Sequence, residues 1–276
     1  MQRAAEPTPG QFGNHGRIES AIAGLRIAAI VAWLLLLLPV YLVAMTSDAA
    51  QTALNRLFWS GVLRLANVRV KVHGRVSPLR PLLFVSNHVS YLDIPVLGSL
   101  LPGVFVAKAE IAGWPGFGLI ARLGRAVFVE RKRTEAARQK EALGRRLARG
   151  VPLILFPEGT SDDGNRVYPF KSTLFSIAEE EVEGQPVMVQ PVAIAYTRCF
   201  GMPIGYVWRH FFAWYGDMDL APHLWDLLRM GRLTVEVSFL EPRMLSALGT
   251  RKAAAEYCHR SVRAAVGRAL SGRTPS

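Results

Sequence analysis

Two residues five positions apart, His88 and Asp93 in Asn87-His88-Val89-Ser90-Tyr91-Leu92-Asp93, are suited to moving a proton. On a regular helix that spacing turns by about 140°, so the two side chains would not share a face. They can meet if His88 sits in a turn and Asp93 lies in the first turn of the helix that follows. A carboxylate there would fix the imidazole tautomer and stabilise the imidazolium, making His88 a general base near neutral pH. The pair alone is a weak signal, because a turn-capping aspartate beside an unrelated histidine has the same spacing. Pro157-Glu158-Gly159-Thr160-Ser161 is more specific. Glu158 offers a carboxylate, Thr160 and Ser161 offer hydroxyls, and Gly159 lets the backbone approach a ligand closely. The same residues would also suit a plain turn with a helix cap at Thr160 or Ser161. Glu130-Arg131 adds a guanidinium fit for bidentate recognition of phosphate or carboxylate, or else an ordinary solvated helix start.

These clusters need elements to bring them together. Short β-type runs are expected at Pro81–Ser86, Val104–Ala107, Ala126–Glu130, Pro152–Phe156, Val187–Tyr196 and Leu233–Phe239. Helical stretches are expected at Asp93–Leu101, Arg133–Arg149 and Pro169–Glu180, with a basic helix at Arg251–Leu270. Alternation of this kind predicts an α/β domain with a mixed, mostly parallel sheet flanked by helices. Each polar cluster follows or ends a predicted strand, and ligands in open α/β sheets bind beyond the carboxyl ends of strands. Three strands would thus deliver His, Asp, Arg, Glu and hydroxyls to one edge. No Gly-x-Ser-x-Gly elbow and no Walker A sequence is present, and the glycines of GWPGFG (113–118) do not directly follow a predicted strand.

Ile27–Met45 contains no charged residue, and a bilayer core takes about 20 apolar residues in a helix. An N-terminal membrane-embedded helical segment is therefore expected. Weaker alternatives are a buried core helix and a signal peptide, the latter opposed by the 26 preceding residues and the want of a cleavage site. Leu57–Ala66 could be the return arm of a helical hairpin, and span versus hairpin stays open. Arginines and Lys71 after the run outnumber those before it, so the positive-inside rule puts the larger part on the cytoplasmic face of the membrane. The chain divides into a polar tail (1–20), the membrane-associated segment (21–70), the α/β domain (71–245) and a basic C-terminal helix and tail (246–276).

The net charge of +12 favours an anionic membrane surface or a phosphate-bearing substrate. Nucleic acid is not expected, because no zinc-finger or RNP signature accompanies the charge. Cys199 and Cys258 form no ligand pattern, so neither a metal site nor a disulfide framework is indicated.

From about residue 80 to 196 the chain resembles the 1-acylglycerol-3-phosphate acyltransferase (PlsC-like) family. NHVSYLD is similar to its first motif, FVER to its second, FPEGT to its third and VQPVAIAY to its fourth, and AKAEIAGWPGFGLIARLG between the first two is also similar. The resemblance implies a glycerolipid acyltransferase-like fold and acyl transfer from acyl-CoA or acyl carrier protein to the hydroxyl of a lyso-lipid, without a bound cofactor or metal. It implies His88 as base with Asp93 as its partner. Asn87, Arg131, Glu158, Gly159, Thr160, Ser161 and Lys171 would contribute to substrate binding, and Pro191 would shape the acyl site. Glu130 stands where the family commonly has Asp, Ser161 where Arg often follows FPEGT, and Thr173 where Gly is usual. Losing an arginine removes a charge-assisted bond to a phosphate. With RHFFAWYGDMDLAPHLW (209–225), this set looks more like lyso-ornithine lipid acyltransferases. A non-catalytic basic membrane-binding protein is the reading from a different class, and the presence of both His88 and Asp93 disfavours it.

Overall fold

The computed structural model describes residues 16–114, 117–129, 136–179 and 181–273. Its strands are β1 (Val68–His73), β2 (Leu82–Ser86), β3 (Val104–Lys108), β4 (Val127–Val129), β5 (Leu153–Leu155), β6 (Met188–Cys199), β7 (Met202–Pro203), β8 (Leu233–Phe239) and β9 (Arg243–Met244). The helices are α1 (Arg17–Ala44), α2 (Asp48–Leu65), α3 (Asp93–Leu100), α4 (Phe117–Leu123), α5 (Ala136–Ala148), α6 (Leu220–Arg229), α7 (Leu245–Leu248) and α8 (Arg251–Leu270). One sheet runs β1-β8-β6-β2-β5-β3-β4, with β7 and β9 paired to β6 outside that path. Along the path only β6 and β8 pair antiparallel. The expected mixed, mostly parallel sheet is what the chain forms.

The apolar run LLFVS of β2 is buried along its whole length, as a strand covered on both faces must be. Its side chains alternate. Leu82 and Phe84 join a cluster with Val96 and Leu97 of α3 and Leu227 and Leu228 of α6. Leu83 and Val85 join a second cluster with Leu143 and Leu147 of α5 and with Cys258, Val262 and Ala265 of α8. Because β2 and β5 run parallel, with Leu83 opposite Leu153 and Val85 opposite Leu155, the chain leaves both strands at the same edge.

Two expectations are corrected in detail. Pro169–Glu180 is not an α-helix over its described part, since Ser172–Ala178 is a 3₁₀ helix whose first residue follows an extended Lys171. The strand Val68–His73 was not anticipated, because Arg69 and Lys71 read as charges flanking the apolar run rather than as the exposed positions of an edge strand.

At the N-terminus, α1 runs through Pro39 and turns at Met45–Ser47 into α2, whose Ser47 hydroxyl caps its first turn. Trp33 Nε1 donates to the Phe58 carbonyl at 3.1 Å, over Gly61. The helices therefore form a hairpin, with Trp59 of α2 packed on Gly98 of α3. Arg26 donates to the carbonyls of Leu228 and Met230 at 2.7 and 2.8 Å, and Tyr41 donates to the Leu123 carbonyl. α1 is thereby tied to the sheet domain at two points along its length. Its outer side leaves Leu25, Val31, Leu35, Leu36, Val40, Leu42 and Val43 exposed, which is the surface of a helix that meets lipid.

Candidate active site

The chain leaves β2 at Ser86, and Asn87 immediately extends the sheet with its side chain. Its amide donates to the Ile194 carbonyl at 2.9 Å and accepts from the Ile194 N–H at 2.8 Å. This pairing, buried to 1 % exposure, stitches the first residue of the turn to β6. Pro191, three residues earlier in β6, lies buried opposite Val85, and its carbonyl accepts the Leu240 N–H.

His88 follows, and the FPEGT loop grips its backbone on both sides. Its N–H donates to Glu158 Oε1 at 2.8 Å, and its carbonyl accepts from the Asp162 N–H at 3.3 Å. The imidazole stacks on Phe156 with ring centres 4.2 Å apart and planes 17° from parallel. Its Nδ1 lies 2.8 Å from Asp93 Oδ2. Asp93 is the first residue of α3, as the turn-then-helix reading of the motif required.

The Asp93 side chain is fully buried. Oδ2 also accepts the N–H groups of Val89 at 2.6 Å and Ser90 at 3.0 Å, while Oδ1 accepts the Tyr196 hydroxyl at 2.8 Å. Burial, and then the neighbouring Asp93 carboxylate, hold the Tyr196 phenol far above its ordinary pKa, so it remains a donor. A carboxylate filled by these donors points one oxygen at Nδ1, which assigns the proton to Nδ1 and leaves Nε2 as the basic nitrogen. Among the described residues Nε2 has no hydrogen-bond partner, and the histidine side chain is 22 % exposed. The arrangement can therefore accept a proton from a group arriving at the open edge of the ring.

Glu158 is held at both oxygens: Oε1 by the His88 N–H and Oε2 by the Tyr168 N–H at 2.7 Å. Burial raises its pKa to about 8 against the pull of those two donors, and the carboxylates of Asp162 and Asp93 add to the rise. Gly159 has φ +70°, and a Cβ there would come within 2.7 Å of Lys171 Nζ. Lys171 is thus folded over the glycine, anchored by its own N–H on the Pro157 carbonyl. Thr160 is exposed and Ser161 half-buried at the rim. Arg131 and Glu130 lie outside the described residues.

Sequence reasoning did not single out Phe156, Tyr196 or Asp162. Tyr196 closes the run VQPVAIAY, where its inward phase on β6 and its hydroxyl were the available signal. The segment 209–225 also reaches the site. The Trp214 N–H donates to the Val89 carbonyl at 3.0 Å, the Tyr91 hydroxyl lies 2.9 Å from His223 Nδ1, and Arg209 donates to Asn165 Oδ1 at 3.1 Å. Burial pushes the Cys258 thiol up to about 12 and raises that of Cys199, which suits neither to nucleophilic attack. Among the described residues no group of three His, Cys, Asp or Glu side chains is arranged to hold a metal ion.

Residues 69–195 match the family model described as Acyltransferase. The chain is 43 % identical to a lyso-ornithine lipid O-acyltransferase of Brucella abortus, over 90 % of this chain and 95 % of that protein. It is 41 % identical to a lyso-ornithine lipid O-acyltransferase of Rhizobium meliloti (94 % and 89 % covered), and 32 % identical to a 1-acyl-sn-glycerol-3-phosphate acyltransferase of Neisseria meningitidis (75 % and 78 %). The fold matches the crystal structure of the 1-acyl-sn-glycerophosphate acyltransferase PlsC from Thermotoga maritima with TM-score 0.65 at 21 % identity, covering 94 % of this chain and 97 % of that one.

Proposed function

We propose that this chain, which belongs to the Acyltransferase family and is an enzyme acylating lysolipids, moves a fatty acyl group from a thioester donor to the free hydroxyl of lyso-ornithine lipid. The observation that carries the chemistry is the His88–Asp93 contact at 2.8 Å, with Nε2 of His88 open at the sheet edge. The acceptor hydroxyl gives its proton to Nε2 while Nδ1–H donates to Asp93. The alkoxide oxygen attacks the thioester carbonyl, and the tetrahedral intermediate expels the thiolate, which takes the proton back from the imidazolium. One ester bond forms, one thioester bond breaks, and histidine returns to its starting state. Asn87 and Glu158 act here as positioning residues, since their polar atoms are taken up by Ile194, His88 and Tyr168. Lys171, Thr160 and Ser161 form the rim over which a headgroup passes, with Arg131 as a further cation for it.

The acceptor assignment rests on relatives of 41–43 % identity over at least 90 % of this chain. Ser161 after FPEGT supports it, because a phosphate acceptor would be better served by another cation there. Arg209, joined to the same loop through Asn165, suits a headgroup carboxylate. Lysophosphatidate is the second reading, favoured by the Neisseria relative and by Lys171. The donor is acyl-CoA or acyl carrier protein, and the enzyme works on the cytoplasmic side of the membrane that α1 and α2 engage.

Purified protein in detergent, offered both acceptors with both donors, is expected to acylate lyso-ornithine lipid. His88→Gln is expected to lose about 10²- to 10⁴-fold in turnover. Undiminished transfer by His88→Gln would overturn the catalytic assignment, and exclusive use of lysophosphatidate would overturn the acceptor.

A further inference from the structure

At the edge of the sheet opposite His88, the chain gathers arginines where no step of the reaction needs them. A cleft of about 230 Å³ is lined by Arg125, Arg145, Arg146 and Arg149, together with Asp48, Ala142 and Val151. Three elements build it: the first residue of α2, the turn before β4, and the end of α5 with the residues entering β5. Asp48 takes an ion pair from Arg125, and Arg145 is paired along its helix with Glu141. Among the described residues that line the cleft, one carboxylate faces four guanidiniums.

The Arg146 pKa is lowered by burial first and then by the Arg125 charge, with Asp48 opposing and Arg149 adding a further lowering. Like charges held together and partly out of water are unfavourable unless an anion joins them. The setting narrows the choice of anion. Asp48 lies three residues beyond Met45 at the tip of the hairpin, where Leu42, Val43 and Met45 are 63, 74 and 61 % exposed. The cleft therefore opens where an apolar surface gives way to a basic one, the boundary at which lipid headgroups lie.

We propose that Arg125, Arg145, Arg146 and Arg149 form a binding site for a phosphate-bearing anion at the junction of the hairpin and the sheet domain, filled in the membrane by the headgroup of an anionic phospholipid. The site is distinct from the reacting centre. Val151 precedes β5 and Phe156 follows it, and the near-extended chain between them sets the two ends of the strand about 16 Å apart, with Glu158 in the turn beyond. An occupied site would fix the hairpin tip against the domain, because its arginines come from the domain and its lip from α2. The inference stands apart from the acceptor assignment and does not depend on it.

The test measures stabilisation of the full chain in detergent by phosphatidylglycerol, phosphatidylcholine and inorganic phosphate, added separately. The native protein is expected to favour phosphatidylglycerol over phosphatidylcholine by on the order of tenfold or more. Arg146→Gln with Arg149→Gln should abolish that preference, while Arg260→Gln with Arg263→Gln on α8 should leave it intact. Arg146→Lys with Arg149→Lys guards against misfolding, since it keeps the charge and should retain much of the preference. If the glutamine variant keeps the lipid preference but loses stabilisation by inorganic phosphate, the site is upheld with a soluble phosphate as its occupant. If the variant alters neither response, or the native protein shows neither, the proposal fails.

Discussion

At the residue scale, the base proposed here, His88, depends on a carboxylate whose every direction is occupied. Tyr196 supplies the donor to Oδ1 of Asp93, and Tyr196→Phe removes that hydrogen bond without changing the ring. Hydrogen bonds to a charged group contribute about 1.5–3 kcal/mol, so kcat is expected to fall by one to two orders of magnitude, with KM for both substrates little changed. A fall confined to KM would make Tyr196 a mere packing residue. Glu158 leads to a pH prediction. Its folded pKa lies at about 8, above the unfolded value near 4.5, so the folded state holds more protons between those limits. The stability this contributes is complete below the unfolded pKa and is lost as pH rises through the folded one. The melting temperature should therefore drop from pH 5 to pH 8 more steeply in the native protein than in Glu158→Gln. An equal slope in both would show that Glu158 is not the group responsible.

At the element scale, the hairpin is held by glycines that admit indoles. A Cβ at Gly61 would lie 2.2 Å from Trp33 Nε1, and one at Gly98 would lie 2.4 Å from Trp59 Cδ1. Gly61→Val should therefore push α1 from α2 and break the bond from Trp33 to Phe58, at a cost of about 1–3 kcal/mol for overpacking. Faster proteolysis at the Met45–Ser47 turn and a lower melting temperature would record the loss, and unchanged values would show that the helices part freely. Much of the element structure was legible beforehand. PLLFVS and PLILF were apolar enough to mark central strands, and the polar clusters after them marked the edge where the candidate site lies. What stayed hidden depended on partners distant in sequence. No local pattern ties Asn87 to Ile194, Glu158 to the His88 N–H, or Tyr196 to Asp93, because β2, β5 and β6 become neighbours only when the sheet assembles. Glu158 looked like a ligand-binding carboxylate from composition alone, whereas its two backbone bonds are a tertiary property.

At the scale of the whole molecule, α1 is long enough to cross a bilayer, with 28 residues at about 1.5 Å each. Its contacts favour a different course. Arg26 binds the carbonyls of Leu228 in the last turn of α6 and of Met230 just after it, and Tyr41 binds Leu123 at the end of α4. Fifteen residues, or roughly 22 Å of helix, separate these two anchors, and both touch the same water-facing domain. A helix standing across the bilayer could hold only one such anchor. The hairpin should therefore lie along the membrane surface with its exposed leucines and valines in one leaflet, and the active-site edge beside it. Two measurements check this in sealed inner-membrane vesicles oriented with the cytoplasmic side out. The protein should resist a high-salt wash yet leave with detergent. A cysteine introduced at Gly16, on a chain in which Cys199 and Cys258 are replaced by Ser, should be labelled by an impermeant maleimide from the same side as one placed at Gly272. Labelling of the two sites from opposite sides would mean that α1 crosses the bilayer, and the contacts of Arg26 and Tyr41 would then have to part in the membrane.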